Sequence, residues 1–140
     1  MPTRNADDWS IATGMVDGNR TIIRVLSALP EADERAERPL LIRVTWTYGE
    51  TLTGMPDPAA LDTIETFEET IFASIDQQDW ATEVAAITGN GAKQWRFYTD
   101  DGDNFVARFS AALENHPIYP IELEGIPDPE WQGLRELQPG

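Results

Sequence analysis

Two hydrophobic periods stand side by side near the middle of the chain, and together they leave few folds open. Leu40 to Tyr48 reads LLIRVTWTY, with Leu40, Ile42, Val44, Trp46 and Tyr48 on one face and Leu41, Arg43, Thr45 and Thr47 on the other, the period of two of a β-strand. About ten residues later Leu61, Ile64, Phe67, Ile71, Phe72 and Ile75 fall within an arc of ~140° at 100° per residue, an amphipathic helix. Asp57-Pro58 supplies its N-cap and a proline for its first position. A strand with one apolar face followed by a helix with one apolar stripe predicts that Leu40, Ile42, Val44 and Trp46 pack under Ile64, Phe67, Ile71 and Ile75.

The rest of the chain is organised around these two segments. Trp9 to Thr13 and Arg20 to Ala28 are short strand-like runs, and the Asp17-Gly18 pair between them signals a hairpin. Pro30 to Pro39 is charged and reads as a solvated connection, and Gly49 to Pro56 as a loop. A strand from about Thr82 to Thr88 meets the turn Gly89-Asn90-Gly91 and returns as Lys93 to Thr99. Asp101 or Asp103 caps a second helix through Phe105, Val106, Phe109, Ala112 and Leu113, ended by His116-Pro117. Ile118 to Leu123 is the last strand, and Asp128-Pro129-Glu130-Trp131 opens a short turn. The prediction is a flexible tail over residues 1–8 and a single α+β domain over 9–140. From Leu40 the order strand, helix, strand, strand, helix, strand is the ferredoxin-like split βαβ, here preceded by an N-terminal hairpin. Its two helices cover one face of an antiparallel sheet, and the other face is expected to lie partly open.

Charge narrows the function. The chain has 25 acidic and 10 basic residues, a formal charge of -15. Such a surface repels phosphate backbones and anionic lipid heads, so no nucleic-acid or membrane partner is expected, whereas a basic protein partner is compatible. At 41% hydrophobic residues the chain is too apolar for an acidic disordered segment. Without cysteine there is no thiolate nucleophile or Cys-ligated metal. The polar start MPTRNADDWS lacks a secretory signal, and no apolar run is long enough to span a bilayer. The expectation is a soluble cytoplasmic protein.

The motifs add no chemistry of their own. The one histidine, His116, is expected as a helix C-terminal cap rather than a triad base. Asp100-Asp101-Gly102-Asp103-Asn104 has calcium-like spacing, but Phe105 and Ala111 fall where an EF-hand needs Gly and Glu. Gly89-Asn90-Gly91 leads into a strand, unlike a phosphate loop. Trp95, Phe97 and Tyr98 lack the Lys/Arg-Gly-aromatic pattern of an RNA-binding sheet. No catalytic residue, metal site or cofactor is assigned.

Two features remain. No Lys or Arg lies between Val44 and Ala92. On the first long helix, Asp62, Glu65, Glu69 and Asp76 fall within ~60° of one another and form an acidic ridge, the expected docking site for a basic protein. The competing site is the open sheet face carrying Arg43, Thr45, Arg96 and Tyr98. The other feature is Glu68, which the wheel places inside the apolar arc as a buried polar anchor. It needs a hydrogen bond or a cation there, with the Trp9 indole or a backbone amide as expected partner. The reading is a non-enzymatic protein-binding or regulatory module. The alternative is a small hydrolase or ligand-binding enzyme using Glu68 and residues near the Gly49 to Pro56 loop.

The Trp9 opening, Phe67-Glu68, the Thr88-Gly89-Asn90-Gly91 turn followed by Trp95-Arg96-Phe97-Tyr98, and the closing Asp128-Pro129-Glu130-Trp131 together resemble a bacterial domain-of-unknown-function family, number 695. The ending also resembles proteins in which this domain is fused to a relative of the ribonuclease E activity regulator B group. That resemblance implies a ferredoxin-like fold and a role in binding another protein. It implies no activity and no cofactor. Ala85-Ala86 stands where members of the family often carry Gly-Arg.

Overall fold

The computed structural model describes residues 8–16, 18–49, 51 and 53–138. The expected tail therefore lies outside the described residues except for Asp8, as does Asp17 of the first turn. Along the chain run β1 (Trp9–Val16), β2 (Asn19–Leu26), α1 (Ala32–Glu37), β3 (Leu40–Thr47), α2 (Pro58–Gln78), β4 (Thr82–Gly89), β5 (Ala92–Thr99), α3 (Gly102–Ala112), β6 (Ile121–Pro127) and α4 (Gln132–Arg135). The six strands form one antiparallel sheet in the order β1-β2-β4-β5-β3-β6.

The two periods resolve as expected. Ile42, Val44 and Trp46 of β3 share a buried cluster with Ile64, Phe67 and Ile71 of α2, and Leu40 and Ile75 pack against its margin. Trp95 and Phe97 of β5 and Phe105 and Phe109 of α3 complete it. Phe67 is its hub, with ring centroids at 5.4 Å from Trp46, 5.0 Å from Trp95 and 5.8 Å from Phe109. At the start of α2 the Asp57 carboxylate accepts the Ala60 N–H at 2.8 Å, and Pro58 takes the first helical position. Asp101, rather than Asp103, caps α3, accepting from Asp103 and Asn104 N–H. Asn90 and Gly91 both have positive φ, 56° and 87°, the signature of a type I′ hairpin.

Several boundaries differ. The Pro30 to Pro39 connection contains α1. The second long helix stops at Ala112, and His116 lies beyond it, so it does not cap the helix: its Nε2 is 3.3 Å from Thr70 Oγ1 and its Nδ1 2.7 Å from Tyr119 Oη. It ties α2 to the segment entering β6. That strand begins at Ile121 rather than Ile118, because Pro117 and Pro120 interrupt the run and offer no N–H to a neighbouring strand.

The sheet's second face is covered over part of its width and stays partly open at Arg43 and Thr45. Trp131 and Leu134, both fully buried, form a second cluster with Val25, Leu26, Leu41, Val84, Ala85 and Tyr98. The Trp131 indole lies flat on the Tyr98 ring, centroids 4.0 Å apart and 5° from parallel, and donates to the Arg38 carbonyl at 2.9 Å. A register shift between Glu83 and Ala85 turns Val84 as well as Ala85 into this cluster, the effect of a β-bulge.

Candidate functional site

Where α2 passes over β2, β4 and β5, an open cleft of ≈ 390 Å³ is lined by Arg24, Glu65, Glu68, Glu69, Phe72 and Lys93. The helix supplies one wall because Glu65, Glu68, Glu69 and Phe72 recur at the three- and four-residue spacings of one face. The sheet supplies the other. In its register Ala86 of β4 stands opposite Arg24 of β2 and Trp95 of β5, while Thr88 stands opposite Lys93. The long cations of β2 and β5 thus flank the small residues of β4.

Two ion pairs organise the cleft. Glu68 Oε2 accepts from Lys93 Nζ and from Trp95 Nε1, both at 2.8 Å. Neither donor is the Trp9 indole or the backbone amide expected as its partner. Lys93 precedes Trp95 by two residues, so strand alternation places both donors on the helix side. Trp9 instead lies under Arg24, whose guanidinium carbon is 4.3 Å from its ring centroid. Arg24 Nη2 donates to Glu83 Oε1 at 2.7 Å.

The Glu83 side chain is 12% exposed, and its buried Oε2 has no hydrogen-bond partner among the described residues. Burial pushes its carboxyl up to about 7; Arg24 and Lys93 pull it down, and Glu68 adds to the rise. The dominant cause is desolvation, which here exceeds the attraction of a guanidinium in direct contact.

The other candidate residues separate. Glu65 and Glu69 of the ridge flank Glu68 at the cleft mouth and are exposed. Asp62 and Asp76 are exposed on the same helix but do not line the cleft. The competing face is corrected by the fold. Tyr98 is fully buried and Arg96 is 8% exposed, because the C-terminal segment covers them. Arg96 Nη1 donates to the Gly133 carbonyl at 2.7 Å and pairs with Glu136. Arg43 and Thr45 stay half-buried, Arg43 near Glu124 at 3.4 Å and Thr45 accepting from Gln94.

The loop named in the enzyme alternative is tied elsewhere. The Tyr48 hydroxyl donates to the Gly54 carbonyl, and Gly91 N–H donates to the same carbonyl at 2.9 Å. Among its described residues none lines the cleft that holds Glu68.

Sequence reasoning singled out the closing Asp-Pro-Glu-Trp motif without giving it a task. Asp128 Oδ2 accepts from Tyr98 Oη at 2.6 Å and Gly133 N–H at 2.9 Å, and Oδ1 from Gln132 N–H at 2.9 Å. Burial by itself would raise the Asp128 carboxyl, but these donors and the Arg43 charge together hold it below its ordinary range. Burial first, then the Asp128 carboxylate, keeps the Tyr98 hydroxyl protonated.

The family model described as a family of unknown function, DUF695, matches residues 7–137. The chain belongs to that family. No curated protein matches it. Among the described residues no helix is long and apolar enough to cross a membrane.

Proposed function

We propose that this chain is a non-enzymatic protein-binding module of the cytoplasm, and that the cleft along α2 receives a basic side chain of its partner. The observation that carries this reading is the balance of charge in one place. Arg24 and Lys93 are already paired with Glu83 and Glu68, which leaves the exposed Glu65 and Glu69 at the mouth with no cation of their own among the described residues. An incoming ammonium or guanidinium meets excess negative charge and an apolar flank at Phe72. Asp62 and Asp76 extend the same potential along the helix and steer the encounter.

The finer fold reading belongs with this proposal. The order β4-β5-β3-β6 of the last four strands, with α2 and α3 as crossovers, supports a ferredoxin-like unit to which the β1–β2 hairpin is added beside β4. The closing Asp128 to Trp131 motif supports the kinship with the regulator B group, and with it an inhibitor-like role.

The experiment is affinity capture with the intact chain, followed by association kinetics with the captured protein. Reversing Asp62, Glu65, Glu69 and Asp76 to Lys should slow association by ~10-fold or more at low salt and flatten its salt dependence. An unchanged rate and salt slope would remove the ridge and cleft from the interface.

A further inference from the structure

The two edges of the sheet are treated differently. The β6 edge carries Glu122 and Glu124 and ends in Pro127, devices that discourage strand addition. The β1 edge, WSIATGMV, has no charge and no proline over eight residues, and its register with β2 runs without a bulge from Trp9↔Leu26 to Val16↔Asn19. Its Ile11 and Met15 side chains are 74% and 69% exposed. In a chain of charge -15, the β1–β2 hairpin holds two arginines, Arg20 and Arg24, against one acidic residue, Asp17.

The register also says which backbone groups of β1 no neighbouring strand among the described residues takes up. Ser27 N–H donates to the Asp8 carbonyl at 2.8 Å, in step with the β1–β2 ladder. Antiparallel bonding alternates, so Ser10, Ala12, Gly14 and Val16 use their N–H and C=O groups on β2. Trp9, Ile11, Thr13 and Met15 turn theirs outward. Ile11, Thr13 and Met15 also share one side-chain face.

We infer that β1 pairs antiparallel with β1 of a second copy of this chain, about a two-fold axis at Thr13. Ile11 and Met15 lie two residues on either side of Thr13, so this axis sets each Ile11 opposite the other copy's Met15 and Thr13 opposite Thr13. One register therefore satisfies the outward backbone groups in reciprocal pairs, covers all four exposed apolar side chains and makes a favourable Thr–Thr contact. A one-residue slip leaves the outward groups of one copy opposite groups already bonded to β2. One eight-residue strand with two exposed apolar side chains per copy is a small contact of the weak, transient class, and a dissociation constant on the order of 100 μM is expected.

Sedimentation velocity of the intact chain from about 5 μM to 1 mM tests this. A concentration-dependent dimer is expected, strengthened by salt because two chains of like charge approach through an uncharged strand. Thr13→Pro removes an outward N–H that the monomer does not use and should weaken self-association at least ~10-fold. Thr13→Lys and Thr13→Glu, on an exposed side chain, should each weaken it separately. An equimolar mixture of these two should dimerise again, because the charges face one another across the axis. A chain monomeric at ~1 mM in 0.5 M salt, or a dimer indifferent to the Thr13 substitutions, overturns the inference. Neither outcome touches the α2 cleft, whose partner binding weakens with salt.

Discussion

Removing the Glu68 carboxylate tests whether the cleft is held by its ion pair or by packing alone. Glu68 and Lys93 are 17% and 16% exposed, and Trp95 is fully buried. Glu68→Ala therefore strands two donors where water reaches poorly. The orphaned indole N–H costs roughly 1–3 kcal/mol. The unpaired ammonium costs less than the ~3–5 kcal/mol of a fully buried broken pair, because Lys93 retains some solvent access. The sum is about 3 kcal/mol. Glu68→Gln keeps an oxygen for one donor and should cost about half as much.

Combining Glu68→Ala with Lys93→Met removes the stranded charge, so the double variant should be more stable than the sum of the two single losses predicts, by ~1–2 kcal/mol. Urea unfolding followed by tryptophan fluorescence reads the parent and all four variants. With a slope of roughly 1.5 kcal/mol/M, a 3 kcal/mol loss moves the midpoint by about 2 M. An Ala variant within ~0.5 kcal/mol of the parent refutes the anchor. Gln and Ala losses that are equal would reassign the effect to packing.

Three further outcomes follow from single side chains. Glu83 is raised from 4.5 to about 7 in the folded chain, so its stabilising contribution is complete below pH ~4.5 and is lost as pH rises towards 7. That interval corresponds to roughly 3 kcal/mol. Glu83→Gln should accordingly match the parent near pH 4 and exceed it by ~1–3 kcal/mol at pH 8, and a pH-independent difference in urea stability would contradict this. Asp128 is lowered, so its contribution is present above its unfolded value near ~3.9 and disappears as the pH falls through the folded one. Asp128→Ala should cost ~2–4 kcal/mol and speed tryptic cleavage after Arg135; an unchanged cleavage rate would show that the C-terminal segment is held without it. At Gly89, with φ +151°, an added Cβ would lie 2.7 Å from the Arg20 carbonyl oxygen, whereas at Gly14 it meets nothing within 4 Å. Gly89→Ala should therefore lower stability by ~2–4 kcal/mol and Gly14→Ala by under ~0.5 kcal/mol in the same denaturation assay.

What could be read beforehand was whatever repeats locally. The alternation of β3 and the 3.6-residue spacing of α2 set each other's register, and the helical wheel located Glu68. Its partner is legible too, since Lys93 is one alternation step from Trp95 on the same strand face. The Arg24–Glu83 pair was not legible. It depends on β2 lying beside β4, which no local pattern encodes, and on the shift at Val84, which changes the parity of the strand just where Glu83 sits. The cover over part of the second face escaped for a similar reason. A four-residue helix has no period, and the destination of the Trp131 indole, the Arg38 carbonyl, is 93 residues away.

Charge pairing sharpens the contrast between the remaining surfaces. Among the described residues Arg24, Arg38, Arg43, Lys93 and Arg96 each meet a carboxylate of the same chain, so these cations neutralise internal partners instead of the exterior. The outer field along α2 is then set by Asp62, Glu65, Glu69 and Asp76, with no Lys or Arg in that stretch of sequence to offset them. A cationic partner drawn to that field is released by salt, because exposed charges are screened within ~10 Å at 0.1 M. At β1 the only long-range electrostatic effect between two copies is repulsion, and the same salt removes it. A titration from 0.02 to 0.5 M salt should therefore drive the two associations in opposite directions on one preparation, and a common direction would mean that one of the two surfaces has been assigned the wrong chemistry.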